Sequence, residues 1–249
     1  MEPASLADAY HARLGQLLET VKEKSLADIQ AAAAAAYETM RAGKLVHAWG
    51  SGHSSMFPRE LFYRSSGLSP FSPIYDYNST GPFGRSSTIV NLDGRPEYAD
   101  VILSQHDAQP GEMALIFSTP GVSALSVEMC KRLRDTGLRT VAFCGVDYAS
   151  RLTPRHPSGM RLPDVADMVV DMHVPYGDIA ISVESEDIHV GGFGTVVGIY
   201  IVQMLVASIV DLYRRNGEAA PLVKAAVLPD AARHNSEIYK DIRSRLRFL

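Results

Sequence analysis

Apolar residues fall along the chain in two rhythms: short unbroken runs, and longer stretches in which they return every third or fourth position. The runs read as strands of a parallel sheet covered on both faces, and the periodic stretches read as helices that bury one side. Strand-like runs occur at Leu45, Val46, Ala48 and Trp49, at Phe71 to Ile74, from Met113 to Phe117, from Arg139 to Cys144 and from Val165 to Met172. Leu6, Tyr10, Leu14, Leu17, Leu18 and Val21 form the stripe of a first helix. Ser25 with Asp28 resembles a capping box, which opens a second helix through Leu26, Ile29, Ala33, Ala36, Tyr37 and Met40 to Gly43. After the first strand, a helix with Pro58 in its first turn runs to Gly67. Further helices are expected from Tyr98 to His106, from Ala124 to Asp135, from Val190 to Val210 and from Asp230 to Leu249. Strands alternating with helices predict an α/β domain, a mostly parallel sheet with helices on both faces.

Two strand ends carry candidate chemistry. Gly50 and Gly52 let the backbone turn sharply after the first strand, while Ser51, Ser54 and Ser55 bring hydroxyls to a helix start. A strand, Gly-x-Gly and helix also open dinucleotide folds, but Ser55 stands where the third glycine of that fingerprint belongs, which counts against NAD. Ser118, Thr119, Pro120, Gly121, Val122 and Ser123 repeat the design after the Met113 strand. Two such turns supply N–H and O–H donors to one anion without a lysine, although Ser123 also suits a plain N-cap. Glu60, one turn into its helix, either faces the pocket or is solvated and favours the helix dipole. Pro175, Tyr176, Gly177 and Asp178 lie beyond the carboxyl end of the last strand, where ligands bind in open α/β sheets.

The region from Tyr75 to Arg95 is polar and aperiodic, and its Tyr75, Tyr77, Phe83 and Arg85 suit a substrate-covering lid. Gly145 to Pro163 reads as a second irregular stretch. A chain of 249 residues, 46% apolar, has room for one domain with ample core. Its net charge of −4 and lack of a basic run leave no electrostatic footprint for nucleic acid. Cys130 and Cys144 make neither a disulfide framework nor a zinc motif. The amino end has no basic segment leading an apolar core, so a cytoplasmic protein is expected. Val190 to Val210 is apolar over about the length that spans a bilayer, but Thr195, Gln203, Ser208 and the Gly191-Gly192 opening favour a helix buried in a large domain or between subunits. No membrane partner is expected.

The turns Gly50-Ser51-Gly52-His53-Ser54 and Ser118 to Ser123, each after an apolar strand and preceded by helices, resemble the sugar isomerase (SIS) domain of phosphosugar isomerases and binding proteins. The likeness runs from about Ser25 to Arg214. With Arg155-His156, Pro175 to Asp178 and His234-Asn235, the chain is similar to a poorly characterised SIS subfamily. The resemblance implies a three-layer αβα sandwich of flavodoxin-like type, one domain over residues 1–249 with N-terminal helices over 1–43 and a C-terminal helix over 230–249. It implies that Ser51, Gly52, Ser54, Ser118, Thr119 and Ser123 hold a sugar phosphate, and that Glu60 is the base of an aldose–ketose isomerisation. Pro120 replaces a serine usual in the family, so one hydroxyl and one N–H are missing. The histidine that partners the base in the family sits on the late helix, where this chain is apolar around Gly198 and Ile199. His189 and His234 are the substitutes, while His53, directly in the first turn, is placed either to move protons among the sugar oxygens or to hydrogen-bond the substrate. Asp187, His189 and His234 lack helical ligand spacing, so no metal is expected, and no cofactor either. The expected ligand is an anionic sugar, and the expected assembly is a homodimer or homotetramer. The alternatives to an isomerase are a SIS-type lyase acting on a sugar-phosphate ether and a non-catalytic sugar-phosphate regulator.

Overall fold

The computed structural model describes residues 5–79, 86–183 and 188–249. Five parallel strands form the central sheet: β1 (Val46–Gly50), β2 (Phe71–Pro73), β3 (Met113–Phe117), β4 (Arg139–Cys144) and β5 (Met168–Asp171). Their spatial order is β2-β1-β3-β4-β5, the doubly wound order whose ligands sit at the switch between β1 and β3. Every residue of β1, β2 and β3 is buried, as continuous apolar strands require when helices cover both faces.

On one face lie α1 (Leu6–Arg41), α2 (Met56–Leu61) and α8 (Gly194–Arg215), packed on Val46, Leu115, Phe117, Val141 and Phe143. On the other lie α4 (Tyr98–Leu103), α5 (Ala124–Asp135) and α7 (Leu162–Val165), packed on Trp49, Ala114, Ile116 and Ala142. This is the three-layer αβα sandwich. Two short helices, α3 (Ser86–Asp93) and α6 (Val146–Ser150), lie in the connections above the strand ends, and α9 (Ala231–Tyr239) leads into the carboxyl-terminal tail.

Several expected boundaries move. The two N-terminal helices are one 36-residue helix, because the Ser25–Asp28 spacing is not used as a cap. Ser25 is buried and donates its hydroxyl to the Asp171 carbonyl at 2.8 Å, while the working capping box is Ser5 with Asp8. The helix after the first strand ends at Leu61 rather than Gly67. The Ser66 N–H donates instead to the Val223 carbonyl at 2.8 Å, and the Gly67 carbonyl accepts from the Val223 N–H at 2.9 Å. The stretch from Tyr75 to Arg95 is not wholly irregular, since it contains α3, and Phe83 and Arg85 of the expected lid lie outside the described residues. The C-terminal helix stops at Tyr239, followed by a tight turn at Arg243–Arg245. A small antiparallel hairpin, β6 (Ile181–Val183) with β7 (Ile188–Val190), precedes α8 and has no counterpart in the sequence reading.

By length and composition α8 is apolar enough to cross a membrane, with 22 residues and a mean hydropathy of 2.0. In the structure its Val197, Ile201, Val202, Leu205 and Ile209 are buried in the core beneath α1 and the sheet.

Candidate functional site

A cleft of about 580 Å³ opens beyond the carboxyl ends of β1 and β3. Its first wall is the turn after β1. A Cβ at Gly50 would run into the carbonyl of Ser54, so only glycine lets the chain fold back into the single helical turn Gly52–Ser55. Gly52 takes φ +53° and donates its N–H to the Ser79 carbonyl at 2.9 Å. The turn presents Ser51, His53 and Ser54 to the cleft. The Ser51 hydroxyl donates to Asp93 Oδ1 at 2.7 Å, which fixes the first turn against the end of α3.

The second wall is the turn after β3. Ser118, Thr119 and Pro120 line the cleft, and Gly121 at φ +64° closes the turn by donating its N–H to the Ser118 carbonyl at 2.9 Å. The Thr119 carbonyl accepts from the Gly145 N–H at 3.0 Å, tying this turn to the end of β4. Tyr148 of α6, Asp178, Gly192 and Thr195 complete the wall near the amino end of α8, and Phe57 and Ile89 are its apolar floor and rim. Burial, and then the neighbouring Asp178 carboxylate, push the Tyr148 phenol up, so it stays a neutral donor.

Six of the expected residues therefore meet: Ser51, Gly52, His53, Ser54, Ser118 and Thr119. Four do not line the cleft. Ser123 caps α5, accepting from the Ser126 N–H at 3.3 Å and donating to the Asp93 carbonyl at 3.2 Å. Glu60 points to the α2–α8 seam, where it pairs with Arg64 and accepts from Gln203 Nε2 at 2.6 Å. His189 is exposed on β7. His234 is held on α9 by the Leu222 carbonyl, 2.8 Å from its Nε2. Asp187 lies outside the described residues, and among those described no three His, Cys, Asp or Glu side chains gather to hold a metal ion.

Asp93, Tyr148, Asp178, Gly192 and Thr195 are cleft residues that sequence reasoning did not assign. Asp178 had a signal, its place just past the last strand. Asp93 had none, because its neighbourhood reads as aperiodic loop.

The SIS domain family model matches residues 9–145. A UPF0309 protein of Caldanaerobacter subterraneus is 30% identical over 247 residues, which is 98% of this chain and 100% of the relative. A phosphoheptose isomerase of Neisseria gonorrhoeae superposes with a TM-score of 0.54 at 13% identity, over 82% of this chain and 97% of its own. The NanR protein of Vibrio vulnificus, solved with ManNAc-6P, superposes with a TM-score of 0.52 at 15% identity, over 96% of this chain and 70% of its own. At those identities the likeness to the two solved structures is one of fold. With the sheet order, the paired hydroxyl turns and the match over more than half its length, this chain belongs to the SIS domain family, alongside the UPF0309 proteins.

Proposed function

We propose that the cleft binds an anionic sugar, a phosphate ester in the first instance, and interconverts its aldose and ketose forms in the cytoplasm. The observation that carries this reading is the convergence of the two hydroxyl-bearing turns, Ser51 to Ser54 and Ser118 to Thr119, on one cleft. Hydroxyls and turn N–H groups suit an oxyanion, and the cleft has the size of a small-ligand site. The fold shared with a phosphoheptose isomerase and with a protein solved with ManNAc-6P supports both parts.

Aldose–ketose isomerisation takes a proton from one carbon and returns it to its neighbour, while a donor stabilises the enediolate oxygen. Of the expected proton-transfer groups, His53 is the one that lines the cleft, and we assign it the proton. Glu60 is the competing candidate from its place on the helix after the first turn. The test is turnover of aldose phosphates in heavy water followed by NMR. His53→Gln lowers the rate by about two orders of magnitude or more with binding kept, and Glu60→Gln leaves it near the parent rate. The reverse result returns the base to Glu60. Binding with neither turnover nor exchange favours the regulator reading that NanR suggests, and release of a leaving group favours a lyase.

The same reading includes assembly as a homodimer or homotetramer. Only 39% of the most apolar stretch of α8 is buried within one chain, and Val196 on its outer side is 41% exposed. A second copy would cover that face. Light scattering in detergent-free buffer should give at least twice the single-chain mass, and a stable single chain overturns this part.

A further inference from the structure

Asp178 is the cleft residue with the most constrained backbone. It follows Gly177, and both take left-handed φ, +76° and +54°, a region in which aspartate is one of the better-tolerated side chains and in which the surroundings fix where its carboxylate points. The amino end of α8 fixes the carboxylate: Asp178 Oδ1 accepts from the N–H groups of Phe193 and Gly194, each at 2.8 Å. A Cβ at Gly192 or at Gly194 would stand 3.0 Å from Asp178 Oδ2, and one at Gly194 would also stand 3.1 Å from the Thr119 hydroxyl. Bare backbone at Gly194 is what leaves room for both the carboxylate and Thr119 beside the start of α8. Among the described residues Oδ2 takes no hydrogen bond, and Asp178 lines the cleft.

Two of the N–H groups at the positive end of α8 are taken by the chain's own carboxylate, which leaves the Ser118–Thr119 turn as the better place for a ligand's anionic group. What remains at Asp178 is an immobilised acceptor beside Thr119, and the groups of a sugar that can answer an acceptor are its hydroxyls. We propose that Asp178 Oδ2 accepts a hydrogen bond from one sugar hydroxyl and so decides which anionic sugars the cleft holds. The assignment rests on the reading of the cleft as an anionic-sugar site.

Asp178→Asn in the full chain is the test, because an asparagine oxygen keeps the two backbone N–H bonds while its amide turns the exposed acceptor into a donor. Arabinose 5-phosphate, fructose 6-phosphate and sedoheptulose 7-phosphate are titrated into both proteins by calorimetry, followed by the single-deoxy analogues of the tightest ester. The expected result is binding at least tenfold weaker in Asp178→Asn, with one deoxy analogue that binds both proteins alike, since it lacks the hydroxyl being read. Equal affinity of the two proteins for every ester overturns the role of Asp178 and leaves the cleft reading standing. Weaker binding by the variant that persists undiminished across all deoxy analogues assigns the effect to distortion of the cleft, and also overturns the role. A parent protein that binds none of the esters overturns the cleft reading itself.

Discussion

Ser118 and Ser123 stand in one turn and do different work. Ser118 lines the cleft, whereas the Ser123 hydroxyl is used up between the amino end of α5 and the Asp93 carbonyl. Ser118→Ala should weaken binding of a sugar phosphate by about 1–3 kcal/mol, the loss of one hydrogen bond to a charged group, with the melting temperature nearly unchanged. Ser123→Ala should leave affinity alone and lower folding stability by about 1 kcal/mol, the usual loss of a serine N-cap. Calorimetry and thermal melts on the two variants separate the roles, and an affinity loss confined to Ser123→Ala would place the anion elsewhere. Both serines were legible as hydroxyls at a helix start. Which one faces the cleft depends on where the chain turns between them, and that turn, with Gly121 at left-handed φ, exists only in three dimensions.

Among the elements, α2 and α8 are coupled through one close approach. A Cβ at Gly198 would run into the ring of Phe57, which is 1% exposed and also forms part of the cleft. Alanine for glycine in a helix ordinarily adds about 0.5–1 kcal/mol of stability. Here overpacking opposes that gain, and Gly198→Ala should instead destabilise by about 1–3 kcal/mol while weakening sugar-phosphate binding, because Phe57 has to move. Chemical denaturation checks the first part and titration the second, and a stabilised variant with parent affinity would show that α8 does not support the cleft. The apolar pattern of α8 was plain in the sequence. That α1 is one helix was not, since the Ser25–Asp28 spacing imitates a start signal that packing against β5 overrides.

Across the whole molecule, the carboxyl-terminal tail is tied to the amino ends of the strands through the buried Glu112 carboxylate, with Asp107 taking a second bond from Arg245 at 2.9 Å. Glu112 and His47 are each 1% exposed, with His47 Nε2 at 2.8 Å from Glu112 Oε2. Arg245 reaches both Glu112 oxygens, at 2.7 and 3.1 Å, and the N–H groups of Leu45 and Gln109 donate at 3.0 and 2.9 Å. Burial pushes the Glu112 carboxyl up, but hydrogen bonds from His47, Arg245 and the two N–H groups outweigh it and hold the group at about 2, below its ordinary 4.5. A depressed carboxyl stabilises the fold above its unfolded pKa, so this contribution is whole above about pH 4.5 and is lost as the pH falls towards 2. Glu112→Gln should melt lower at neutral pH and show a flatter loss of stability across that acid window, read from melting temperature against pH. An unchanged acid limb would remove Glu112 from the clasp.

Binary pattern and turn chemistry are local properties, and they were sufficient for β3, β4, α5 from Ala124 to Asp135, the αβα class and the two hydroxyl turns, whereas the strand expected from Val165 begins only at Met168, because Val165 closes α7. Family membership was legible for the same reason, because the motifs that carry it are contiguous. The partners of those turns come from distant parts of the chain. Asp93 arrives on a short helix inside an aperiodic stretch, and Asp178 is turned towards the cleft by N–H groups 15 and 16 residues further on. Glu60, about one turn into the helix that follows the first glycines, was drawn instead to Arg64 and Gln203 at the seam with α8. Sequence spacing determines which side chains can share a helix face. Only the packing of α8 against α2 and the sheet decided which of them open into the cleft.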